Sequence, residues 1–148
     1  MPNSLSNPEK GLNFRKAAQS ILERELHVPL LSEVALEIGK PPKEHRFDLV
    51  SEDHTWVLEC KNLGWRANGG VPQAKITSIS EAATCLCLVD HPCRLAIVMN
   101  RASHSRQRET LAEYYARLHR HQLREVALIE VDTDSGRVRW LVGHRPSK

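Results

Sequence analysis

No stretch of this chain approaches the ~20 consecutive apolar residues that a membrane span requires, so no membrane segment is expected. The opening segment, Met1 to Pro8, has no apolar core and does not read as a secretion signal, which points to a cytoplasmic protein. Cysteine is sparse. Cys60, Cys85, Cys87 and Cys93 fit a reducing compartment better than a disulfide framework. They also lack the spacing of a zinc site, because Cys85 and Cys87 are separated by a single residue. On a helix those two side chains would diverge by about 200°, and the run from Cys85 to Val89 reads instead as buried core, where a free cysteine acts as a small hydrophobe. Strong net charge is missing as well: a formal +3 permits a nucleic-acid partner without demanding one, so any charge argument has to be local. There is no internal repeat and no low-complexity tract.

What is present is an ordinary globular composition, 41% apolar and 26% charged over 148 residues, which suits one domain with a single core. Residues 1–12 carry Pro2, Pro8 and Gly11 and read as a flexible arm, leaving 13–148 as the domain. Asn13 is a plausible N-cap for a helix running to about His27, with Phe14, Ala17, Ala18, Ile21, Leu22 and Leu26 as its apolar stripe. Ser32 to Gly39 alternates as a strand, with Val34, Leu36 and Ile38 on one face and Glu33, Ala35 and Glu37 on the other. Pro72 suits the first turn of a second helix whose inner face is Ile76, Ile79, Ala82, Ala83 and Leu86. Arg94 to Asn100 is a continuous apolar run, as expected of a strand covered on both faces. A third helix is expected from about Ser105 to Gln122, and Val126–Val131 and Val138–Val142 form a closing hairpin.

The most informative stretch runs from His45 to Asn62. It reads as two short strands around the polar break Glu52 to Thr55. On the second strand, period two puts Val57, Glu59 and Lys61 on one face and Trp56, Leu58 and Cys60 on the other. On the first, Phe47 and Leu49 share a face and Asp48 opposes them. A two-residue turn at Asp53-His54 sets Asp48 directly opposite Glu59, where cross-strand Cβ atoms lie roughly 5 Å apart. Two carboxylates held so close repel unless a cation sits between them. Hard divalent ions take oxygen ligands, and Mg²⁺ uses one or two carboxylates and keeps several waters. A metal so held polarises a phosphoryl oxygen and lowers the pKa of a bound water, and Lys61 stands one pleat away to meet developing negative charge.

Phe47-Asp48, a ten-residue gap, and Glu59-Cys60-Lys61 resemble the signature of the PD-(D/E)XK nuclease superfamily, also called restriction-endonuclease-like, with Phe47 in place of the proline. The resemblance implies an α/β fold with a central mixed sheet flanked by helices, in the order α-β-β-β-α-β plus a C-terminal helix and hairpin. It implies metal binding, by Mg²⁺ or Mn²⁺, through Asp48, Glu59 and the main-chain carbonyl of Cys60, with Lys61 as the catalytic lysine. Family members often donate an acidic residue from the first helix, which makes Glu25 a candidate third carboxylate beside the plainer reading of a helix-end Glu reaching water. Glu33 or Glu37 on the first strand, or Gln73 in the second helix, could also approach the metal, with exposed surface as the default for each.

Around the motif, Gly64, Gly69 and Gly70 make residues 62–72 a mobile loop carrying Trp65 and Arg66, which would stack on a base and contact a phosphate; Trp65 folded onto the core edge is the alternative. Lys75 lies in the next helix's first turn and is a further candidate nucleic-acid contact; the resemblance implies an auxiliary polar residue near the metal site from that turn, Gln73 or Lys75. Residues 101–124 carry six arginines and three histidines against two glutamates, and Arg117 and Arg120 are candidate phosphate contacts. The first functional expectation is a metal-dependent nuclease acting on DNA. The second is a nucleic-acid-binding or assembly module whose catalysis has lapsed, and the third a structural domain with a fortuitous hairpin. With no separate DNA-reading domain in the sequence, cutting is expected to be structure-directed, non-specific or guided by a protein partner that supplies the target, and a homodimer is a further possible assembly.

Overall fold

The computed structural model describes residues 6–147, which form nine elements: α1 (Asn7–Leu26), β1 (Leu30–Ile38), β2 (Lys43–Ser51), β3 (Trp56–Lys61), α2 (Gln73–Cys87), β4 (Arg94–Asn100), α3 (Leu111–Leu123), β5 (Ala127–Asp132) and β6 (Arg137–Val142). The strands lie in chain order in one six-stranded sheet. β1, β2 and β3 form an antiparallel meander, β3, β4 and β5 run parallel, and β6 returns antiparallel to β5. The protein is therefore an α/β fold on a mixed sheet. No helix among the described residues is long and apolar enough to cross a membrane.

Two cores flank the sheet. On one face α1 lays Phe14, Ala18, Ile21, Leu22 and Leu26 over Leu49, Trp56, Leu58, Ala96, Val98, Ile129 and Val131. On the other, α2 and α3 cover Phe47, Val50, Val57, Leu95, Ile97, Met99 and Leu128. β4 is buried on both faces, as a parallel strand between helical layers must be. The inner face expected for α2, from Ile76 to Leu86, is the face it buries.

Two boundaries and one face assignment differ from expectation. Of the arm expected over residues 1–12, residues 1–5 lie outside the described residues, but Asn7–Leu12 belong to α1. Ser6, not Asn13, is the N-cap, its side chain accepting from the Glu9 N–H, and Pro8 sits in the first turn where its missing N–H costs nothing. Helix α3 begins at Leu111 and not at Ser105, because Thr110 and Glu113 form a capping box that fixes the start. Arg101, Arg106 and Arg108 consequently sit on the preceding loop. Finally, Phe47 and Leu49 do not share a face: Phe47 lies in the α2/α3-side core and Leu49 in the α1-side core. The β1–β2 ladder skips the Glu33–Asp48 level, where Glu33 takes φ 53°, so the backbone is irregular there and the simple alternation breaks.

Candidate active site

β2 and β3 are zipped at Val50–Val57 and Leu49–Leu58, the register expected from the sequence, although the turn spans four residues, Glu52 to Thr55. Ser51 and Asp53 hold that turn: the Trp56 N–H donates to Ser51 Oγ at 2.8 Å, and Thr55 Oγ1 donates to the Asp53 carboxylate at 2.7 Å. Beyond Leu49 and Leu58 the two strands part. In the fork, side chains take over from the ladder. The Asp48 N–H donates to Glu59 Oε1 at 3.1 Å, and the Cys60 N–H donates to Asp48 Oδ2 at 2.8 Å. The carboxylates thus clasp the opposing backbones reciprocally.

The face assignment on β3 follows period two. Trp56, Leu58 and Cys60 pack on the α1 side, and Val57 on the α2/α3 side, which is where Glu59 and Lys61 must also project. An extended residue points its N–H and C=O the same way, so the Cys60 carbonyl, like its N–H, is aimed toward β2 and Asp48. Its side chain packs under α1.

Charge in the fork is not balanced. Burial, and then the negative charge of Asp48, push the Glu59 carboxyl up to about 8; the Asp48 N–H and the Lys61 ammonium pull it down, but by less. Cys60 sits well above the usual thiol range, chiefly through burial and then through the charges of Asp48 and Glu59. Arg15, on α1, works against these on Cys60 and pairs with Glu33 at 3.3 Å.

Does this donor set suit a metal? It is all oxygen: two carboxylates and one carbonyl, which suits a hard divalent ion such as Mg²⁺ or Mn²⁺ better than zinc. Among the described residues no group of three or more His, Cys, Asp or Glu side chains gathers. Two carboxylates completed by water remain within the habit of Mg²⁺. Glu25 is not part of the fork: it accepts from Trp140 Nε1 at 2.7 Å and pairs with Arg145, between α1 and the segment after β6. Glu37 and Gln73 are exposed, and Glu33 is held by Arg15. No family model matches the chain, and no curated protein matches it.

The outlying candidates are sorted by their partners. The loop after β3 is docked, contrary to the expected mobility. Leu63 N–H donates to Asn100 Oδ1 at 2.8 Å, Trp65 Nε1 to the Ala102 carbonyl at 3.1 Å, and Gln107 Nε2 to the Gly69 carbonyl at 2.7 Å. Trp65 is half-buried with its ring edge-on to Tyr114 at 5.5 Å, while Arg66 and Lys75 are exposed. Arg117 forms a two-pronged ion pair with Glu109, at 3.1 and 2.6 Å, which offsets its charge. Arg120 is exposed on α3. The sequence reading did not single out Lys10, Asn62 or Asn100, which meet in one cleft past the end of β3. Their only signal was position: Asn62 and Asn100 are the residues at the carboxyl ends of parallel strands, where open α/β sheets bind ligands.

Proposed function

We propose that this protein is a metal-dependent nuclease of the PD-(D/E)XK type, built on a restriction-endonuclease-like core and hydrolysing phosphodiester bonds in DNA. The observation that carries the reading is the fork itself. Two carboxylates, Asp48 and Glu59, are held together at partial burial with Glu59 raised to about 8, an arrangement a cation would relieve. The element order α-β-β-β-α-β through β4 supports the same core. Asp48, Glu59 and the Cys60 carbonyl would hold the ion. Bound there, a divalent ion supplies positive charge to a phosphoryl oxygen and acidifies water. The chain supplies the rest. Backbone N–H groups orient each carboxylate, and Lys61, on the Glu59 face, is placed to counter charge developing on the phosphate or to orient the attacking water.

One observation favours a second reading, a nucleic-acid-binding or assembly module whose catalysis has lapsed. The reciprocal bonds give Asp48 and Glu59 a structural task, satisfying two backbone N–H groups where the strands part. Cleavage decides between them. With Mg²⁺ or Mn²⁺ the wild type is expected to nick plasmid or cut single-stranded DNA, and Asp48→Asn and Lys61→Ala to lose that activity while remaining folded. Wild-type protein that binds DNA but never cuts it would select the second reading. Target choice through a homodimer or a protein partner is compatible with either.

A further inference from the structure

We infer that a single-stranded nucleic acid lies across the carboxyl ends of β3, β4 and β5, with its phosphates on Lys75, Lys10 and Arg101 and a base against Trp65. This names the substrate surface of the site proposed above and rests on that reading. Three clefts with shared walls define the path. The central one, about 490 Å³, is lined by Lys10, Asn62, Trp65, Lys75 and Asn100 among others, and among the described residues no carboxylate lines it. Through Lys10, Asn62 and Asn100 it adjoins a cleft of about 320 Å³ that ends at Arg101. Through Trp65 and Lys75 it adjoins one of about 440 Å³ that carries Arg66. Lys61 immediately precedes Asn62, so the path runs past the end of the proposed catalytic strand.

What sets these cations apart is their convergence on adjoining clefts at one end of the sheet. Arg15, Arg117, Arg139 and Arg145 each have a carboxylate partner. Among the described residues Lys10, Arg66, Lys75 and Arg101 have no ion pair within 4 Å, a state they share with most other cations of the chain, and the charge of Arg101 acts on Asp132. Asp132 and Asp134 stand at the Arg101 end; the Asp132 carboxylate accepts from Ser135 Oγ and the Asp134 N–H within its own turn, and they close the track there. Each cleft has the size of a small-molecule pocket, enough to seat one nucleotide. Trp65, fixed by Ala102 and Tyr114, forms a rigid wall shared by two of the clefts, as a stacking platform should.

The test is fluorescence anisotropy of a labelled single strand of about 12 nucleotides, titrated with intact protein in chelator across a salt series, with a duplex of equal length alongside. Wild type is expected to prefer the single strand. Lys10→Gln/Arg101→Gln should weaken binding and flatten its log-salt slope by about 1.4, roughly 0.7 per lost phosphate contact. Arg24→Gln/Arg94→Gln, removing the same charge from the other end of the molecule, should leave the slope unchanged. Trp65→Phe should abolish quenching of tryptophan emission by the strand although Trp56 and Trp140 remain. All four substituted cations are exposed, so melting temperature serves as the folding control. No binding, a duplex preference, or a slope indifferent to Lys10 and Arg101 would overturn the inference. Cleavage in Mg²⁺ is scored separately: binding that depends on Lys10 and Arg101 without cleavage removes the nuclease and keeps the track. Cleavage with a slope indifferent to those residues does the reverse.

Discussion

Glu59 and Asp48 set the behaviour of the fork at the scale of single residues. Without metal, Glu59 titrates near 8 in the folded chain, against an ordinary value of 4.5. Between those values the folded chain holds a proton that the unfolded chain has released, so stability falls as pH rises from about 4.5 to about 8 and is level with respect to this group outside that window. Asp48→Asn removes the second-largest cause, so the upper end of the window should move to lower pH; melting curves in chelator across that range measure it. An unmoved window would mean that Asp48 does not act on Glu59. Cys60 offers a different check. Its side chain packs under α1 while its backbone serves the fork, so Cys60→Ala should fold and keep activity, whereas Cys60→Asp buries a charge and should cost several kcal/mol. A folded but inactive Cys60→Ala would contradict the assigned faces. The β2–β3 register was legible in the sequence because the polar break centres the turn on Asp53-His54, and the four-residue turn that forms keeps that centre. The misplacement of Phe47 was not, since a positive φ at Glu33, on the neighbouring strand, leaves no trace in the periodicity of β2.

At the scale of elements, caps and docked loops matter most. Thr110 caps α3 and also donates to the buried Glu130 carboxylate at 2.5 Å, which Arg139 grips from the other side at 2.6–2.8 Å. Thr110→Val should therefore cost about 2–3 kcal/mol, the loss of a cap plus a weakened buried carboxylate, measured by denaturant unfolding. A loss within about 0.5 kcal/mol would deny the hydroxyl both roles. The Thr-x-x-Glu pattern stands in the sequence, but residues 106–109, Arg-Gln-Arg-Glu, are good helix formers and extend the expected helix back to Ser105. The glycines after β3 were read as freedom and turn out to permit close approach. A Cβ on Gly69, at φ +86°, would come within 3.0 Å of the Arg106 Cβ and 3.1 Å of the His104 ring. Gly69→Ala should cost about 1–2 kcal/mol and faster hydrogen exchange at the Gly69–Arg66 turn; unchanged exchange would show that the docking of the two loops is loose.

For the whole molecule, the order of elements and the antiparallel meander followed from hydrophobic period and turn residues, because each core strand and helix has one solution that buries its apolar face. What could not be read was which ends of the strands meet: Lys10, Lys75 and Arg101 lie far apart in sequence and are brought together by parallel pairing and by the start of α1. The central claim, that the fork holds two carboxylates for a divalent ion, is tested most directly by melting temperature against Mn²⁺ concentration. Wild type should gain stability in proportion to occupancy, Lys61→Ala should gain it equally or more, and Asp48→Asn should begin at least as stable as wild type in chelator and gain none. An Asp48→Asn protein that retained the full metal-induced rise would show that Asp48 is no ligand and would remove the main support for the nuclease.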